Sequence, residues 1–101
     1  MKQNLKNRHY SEDDVIVLQR ESVNKVFYLV KKGCFFYAYN EGANALSRIM
    51  HYPIKREIRT NGLEILVAGF PADQLAVVLE HIEEQGGQVL LVSDDWVQIQ
   101  Q

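Results

Sequence analysis

Two short apolar runs stand out first along the chain: Val26 to Val30 and Phe35 to Tyr39, both rich in β-branched and aromatic residues. Between them, Lys31-Lys32-Gly33 is a turn signal, with Gly33 free to take positive φ, so the pair predicts a β-hairpin. Both runs are apolar on both faces, which predicts central strands of a covered sheet. The period then changes. In NEGANALSRIMHY, residues 40–52, Ala43, Leu46, Ile49 and Met50 recur on one helical face after a capping Asn40, and Pro53 stops the helix. In PIKREIRTNGLEILVAGFP, residues 53–71, Asn61-Gly62 predicts a type I′ hairpin turn. That register sets Thr60 opposite Leu63, Arg59 opposite Glu64 and Ile58 opposite Ile65, with opposite charges on one face and isoleucines on the other. ADQLAVVLEHIEEQGG, residues 72–87, predicts a helix with Leu75, Val78, Leu79 and Ile82 on one face, Glu80, Glu83 and Glu84 toward water, and Gly86 at its end. QVLLV at 88–92 reads as a buried strand, SDD as a turn, and WVQIQ at 96–100 as a final alternating strand.

The first ten residues are polar and aperiodic. Ser11 followed by acids at 12–14 reads as a helix start, whereas VIVL at 15–18 would alone suit a strand; the cap favours helix. Residues 1–22 are therefore read as an N-terminal tail with a helix, and residues 23–101 as one domain. The element order, roughly α-β-β-α-β-β-α-β-β, predicts an α+β fold with a mixed or antiparallel sheet and helices packed on it.

At 101 residues, 47% of them hydrophobic and 24% charged, the chain suits one globular domain and not general disorder. The single cysteine, Cys34, permits no internal disulfide and fits a reducing compartment. No basic stretch followed by a long apolar run opens the chain, and no run approaches the roughly 20 residues of a membrane span. A cytoplasmic protein without membrane contact is expected. The net charge of −2 hides an asymmetry. Residues 25–59 carry Lys25, Lys31, Lys32, Arg48, Lys55, Arg56 and Arg59 against Glu41 and Glu57, whereas residues 60–101 carry seven acids and no Lys or Arg. A basic middle and an acidic end permit a two-faced surface, and the basic part contains the aromatic run.

Catalytic chemistry finds little support. Cys34 has no recognisable motif joining it to His9, His51 or His81, and a lone cysteine beside strand aromatics is expected to be a small core residue. Three scattered histidines without a carboxylate at ligand spacing do not make a metal site. Asp94-Asp95 belongs to a turn signal, and no P-loop spacing is present. No enzyme activity, metal or cofactor is expected. Binding is better supported, because surfaces for nucleic acid combine Lys and Arg with exposed aromatics. Against this, Phe and Tyr in adjacent strands are usually core.

Gly33-Cys34-Phe35-Phe36-Tyr37, Glu41-Gly42-Ala43 and Ala68-Gly69-Phe70-Pro71, followed at ungapped spacing by Gly86 and Val89, occur in one order. This pattern resembles the N-terminal mismatch-recognition domain of the MutS family of DNA mismatch-repair proteins. There G-D-F-Y-E, D-D-A and A-G-I-P precede a helix ending in glycine and a valine-containing strand. The resemblance spans about residues 23–93 and implies a fold like that domain's. It also implies a role for Phe35, at the position of the phenylalanine that enters the minor groove as an apolar wedge and stacks on a mispaired base. The glutamate that hydrogen-bonds the base is replaced by Tyr37, and the acid before the wedge by Cys34. The ATPase, clamp and lever helices of a MutS protein have no counterpart in this sequence.

The resulting expectation is a stand-alone, non-enzymatic module that binds DNA or RNA, acting beside a larger nucleic-acid enzyme such as a polymerase or reverse transcriptase. Phe36 is assigned to the core and Phe35 to stacking. Tyr37 adjoins it, with Lys31, Lys32 and Arg56 from the basic segment completing the candidate contact set. The rival is a protein-interaction module that kept the fold and lost nucleic-acid contact, a reading that the acidic terminal segment favours.

Overall fold

Strand alternation sets two unlike faces on the sheet in the computed structural model, which describes Ile16, Val17, Gln19 and residues 26–101. Strands β1 (Val26–Lys32) and β2 (Phe35–Tyr39) pair antiparallel with Lys32 opposite Phe35. The turn is therefore only Gly33 and Cys34. Gly33 lies at φ 65 and Cys34 at negative φ, the pattern of a type II′ turn, whose twist suits a hairpin. Cys34 is exposed at this turn and not in the core as expected, because β1 runs two residues further than its apolar run and leaves the cysteine at the tip.

The remaining strands are β3 (Lys55–Ile58), β4 (Glu64–Pro71), β5 (Gln88–Val92) and β6 (Trp96–Gln100). All six form one sheet of order β3-β4-β2-β1-β6-β5, every neighbouring pair antiparallel. With helices α1 (Glu41–Met50) and α2 (Leu75–Glu84), the latter preceded by a 3₁₀ turn at Ala72–Gln74, this is an α+β domain. The apolar runs at 26–30 and 35–39 are indeed the central strands.

One face carries the main core. Phe27, Leu29, Phe36, Ala38, Ala68, Phe70, Val97 and Ile99 from the strands meet Ala43, Ala45 and Leu46 of α1 and Val78 and Ile82 of α2. Phe36 and Phe70 are ladder partners with rings stacked at 5.8 Å, and Tyr52 stacks on Phe70 at 5.9 Å. Full burial of each such aromatic or aliphatic side chain stabilises the fold by about 1.5–3 kcal/mol. The other face carries a smaller cluster of Ile16, Val30, Tyr39, Ile65 and Val67, flanked by Tyr28 and Tyr37. Ile16, Val17 and Gln19 are helical; the rest of the expected N-terminal segment lies outside the described residues. Buried Gln19 donates its amide N–H to the Val26 carbonyl at 2.9 Å and accepts from the Tyr28 N–H at 3.3 Å. A side chain thus satisfies two backbone groups of β1.

Three local expectations are corrected. The β3–β4 register is shifted by one residue: Ile58 faces Glu64, and Glu57 faces Ile65. Asn61 does not take the positive φ that a type I′ turn requires; only Gly62 does, at φ 83. The Gly62 N–H donates to the Arg59 carbonyl and the Arg59 N–H to the Leu63 carbonyl, both at 2.8 Å. This is a three-residue loop closed by a glycine bulge, the next most common hairpin after the two-residue turns. Secondly, Asn40 precedes α1 without capping it. Its Oδ1 accepts from the Leu66 N–H at 3.1 Å, and its own N–H donates to the Leu66 carbonyl at 2.9 Å. Extending the β2–β4 ladder takes the side chain that a cap would have used. Thirdly, β5 is not a buried strand. It is flanked only by β6, so it stands at the sheet edge with Leu90 and Val92 exposed, and Leu90 bulges between Val89 and Leu91.

Candidate functional site

On the face opposite α1 and α2, where helical Ile16 also packs, β2 presents Phe35, Tyr37 and Tyr39. Beside them β4 presents Ile65, Val67, Gly69 and Pro71, β1 presents Val30 and Lys32, and β3 presents Lys55 and Glu57. Tyr39, Ile65 and Val67 are buried there, while Phe35, at the hairpin tip, is 41% exposed. The next residue along the strand, Phe36 on the helix side, is 3% exposed. One strand therefore sends one phenylalanine into the core and the next to the surface.

Gly69 fixes the ring next to Phe35. It is the ladder partner of Tyr37, and a Cβ added to it would lie 2.7 Å from Cδ1 and 2.8 Å from Cε1 of that tyrosine. Only glycine lets the Tyr37 ring lie down over β4. Phe35 stacks beside it, with centroids 6.0 Å apart and ring planes 20° from parallel. The pair makes a stacked aromatic platform whose Phe35 end is partly exposed.

Three clefts border the platform. One, of about 360 Å³, is lined by Phe35, Tyr37, Gly69 and Val67 on the side of the rings and by Pro53, Lys55 and Glu57 opposite. A second, also about 360 Å³, shares Tyr37, Glu57 and Val67 with it and adds Lys32, Gly33, Tyr39 and Arg59. A third, about 370 Å³, lies around the hairpin tip between Lys31, Cys34, Phe35, Pro71 and Asp73. Arg59 lies 3.9 Å from the Glu57 carboxylate.

Of the residues singled out from sequence, Phe35, Tyr37 and Lys32 come together on one face. Lys31 alternates to the opposite face, although it lines the tip cleft together with Phe35. Arg56 stands apart from the platform. It pairs across the sheet with Leu66 on the helix side and reaches the Glu64 carboxylate at 3.5 Å, both side chains largely exposed. The register explains this: with Ile58 opposite Ile65, Arg56 would share the face of Ile65 and Tyr37, and a one-residue slip turns every β3 side chain over. Lys55, Glu57 and Arg59 take its place, and sequence reasoning missed all three as site residues. No signal in the sequence separates the two loops, because Asn-Gly suits both.

The charge asymmetry of the sequence is only partly sorted by face: Lys31, Arg48 and Arg56 lie on the helix side, and Glu57 lies at the platform. Lys32, Lys55 and Arg59 surround the platform, whereas Glu80, Glu83 and Glu84 lie on α2, across the sheet. No family model matches the chain, and no curated protein matches it. Among the described residues, no group of His, Cys, Asp and Glu could hold a metal ion, and no helix is long and apolar enough to cross a membrane.

Proposed function

We propose that this chain is a non-enzymatic module that binds nucleic acid through the Phe35–Tyr37 platform and prefers unpaired bases. The observation that carries the reading is the exposed Phe35 ring stacked on Tyr37, with Lys32, Lys55 and Arg59 around it. An exposed aromatic ring offers sequence-tolerant stacking worth about 1–3 kcal/mol per base, and flanking cations neutralise phosphates. The resemblance to the MutS mismatch-recognition domain supports the same surface, because Phe35 stands at the wedge position. Driving a wedge into a duplex costs a few kcal/mol of unstacking, which needs compensating contacts. Single strands and already unstacked bases avoid that cost, so the module suits exposed strands near a larger enzyme such as a polymerase or reverse transcriptase. A protein-interaction role is the second reading. Ile58, 72% exposed on the helix side of β3, and the acidic face of α2 favour it.

A competition assay separates the two readings, using matched duplex, mismatched duplex and single strand of one length, in DNA and in RNA. Single strand should win, with the mismatched duplex next. Absence of binding to any of them at low salt and high protein concentration would leave the protein-interaction reading.

A further inference from the structure

We infer that Glu57 and Lys55 make the platform selective for unpaired guanine, an inference that rests on the nucleic-acid reading above. A carboxylate is a poor neighbour for phosphates, yet Glu57 lines both clefts that flank Tyr37, with its side chain 46% exposed. It is bracketed by Lys55 on β3 and by Arg59 just past its end, so this segment presents cation, anion, cation along the far wall of the clefts. A base stacked on Phe35 or Tyr37 turns one edge toward that wall. An ionised carboxylate only accepts hydrogen bonds, at two oxygens, and an ammonium only donates. Lys55 and Glu57 together therefore present donor, acceptor, acceptor. The Watson–Crick edge of guanine is the complement: O6 accepts, and N1–H and N2–H donate. Adenine and cytosine turn a ring-nitrogen acceptor toward the carboxylate, and thymine or uracil flanks its single N–H with two carbonyls. Recognition of splayed bases on that edge is the usual route to sequence selectivity in single strands. A paired guanine has its edge occupied, so the selectivity applies to unpaired bases alone.

The test uses short thymidine single strands carrying one central guanine, adenine, cytosine or inosine, titrated against the full chain and against Glu57→Gln and Lys32→Gln. Both substitutions fall on exposed strand positions, and melting curves check that each variant is folded. The guanine strand should bind about fivefold or more tightly than the adenine, cytosine and all-thymidine strands, the discrimination expected of a bidentate contact. Inosine, which lacks the N2 amine, should fall between. Glu57→Gln should still bind but lose the preference. Lys32→Gln should weaken all strands alike and keep it. Equal binding of all strands by the unaltered chain, or a guanine preference that survives Glu57→Gln, overturns this inference alone and makes Glu57 a counterion of Arg59. Absence of binding to every strand overturns the nucleic-acid reading and this inference with it.

Discussion

Neighbouring phenylalanines on β2 point to opposite faces, Phe36 into the core and Phe35 toward the surface. Phe36 is buried between Phe70 and α1, so Phe36→Ala should cost about 3–5 kcal/mol, read as a lowered denaturation midpoint. Phe35 is 41% exposed, and Phe35→Ala should cost no more than about 1 kcal/mol while abolishing most binding to single strands. Equal loss of stability in the two variants would make Phe35 a core residue and remove the platform. Gly69 offers a test that leaves both rings in the sequence. In Gly69→Ala the new methyl group meets the Tyr37 ring and tips it away from Phe35. Weaker binding in a variant that remains folded is the expected result; unchanged affinity would show that the flat placement of Tyr37 does not matter. That division was legible before the structure, since alternation assigns Phe35 and Phe36 to opposite faces and a turn at Gly33 brings the first toward solvent.

Among the elements, the β3–β4 hairpin decides which charges reach the platform. The hairpin was legible in Asn61-Gly62, but its register was not, because the same dipeptide closes two-residue and three-residue loops. The one-residue difference moved Lys55 and Glu57 onto the aromatic face and Arg56 off it. The expected Asn40 cap failed for a related reason: a ladder contact with Leu66, distant in sequence, outcompetes the local helix contact. Burial of β5 was misjudged because an apolar run carries no record of whether a neighbour lies on each side. The central strands and both helices depend mainly on local periodicity and were correctly read. At φ 83, Gly62 is the residue on which the loop depends, so Gly62→Ala should destabilise the protein by about 1 kcal/mol. Thermal melting checks this, and an unaffected midpoint would mean the loop can adopt another turn.

For the whole molecule, the aromatic platform and its cations lie across the sheet from the acidic surface of α2. On the nucleic-acid reading, Lys32, Lys55 and Arg59 supply the local attraction for a negatively charged strand even though the protein's net charge is −2. With Lys32, Lys55 and Arg59 at the platform, affinity for single strands should fall with salt at a log–log slope on the order of −2. Titrations across a salt series give that slope directly, and a flat series would exclude phosphate contacts. The most direct test of the central claim is a map of backbone amide shifts as an unlabelled single strand is titrated into isotope-labelled protein. Shifts should concentrate at Lys32 to Tyr37, Lys55 to Arg59 and Val67 to Pro71, with α2 unmoved. Shifts centred on α2 or β5, or none at saturating strand concentration, would contradict the assignment of the Phe35–Tyr37 platform as the binding surface.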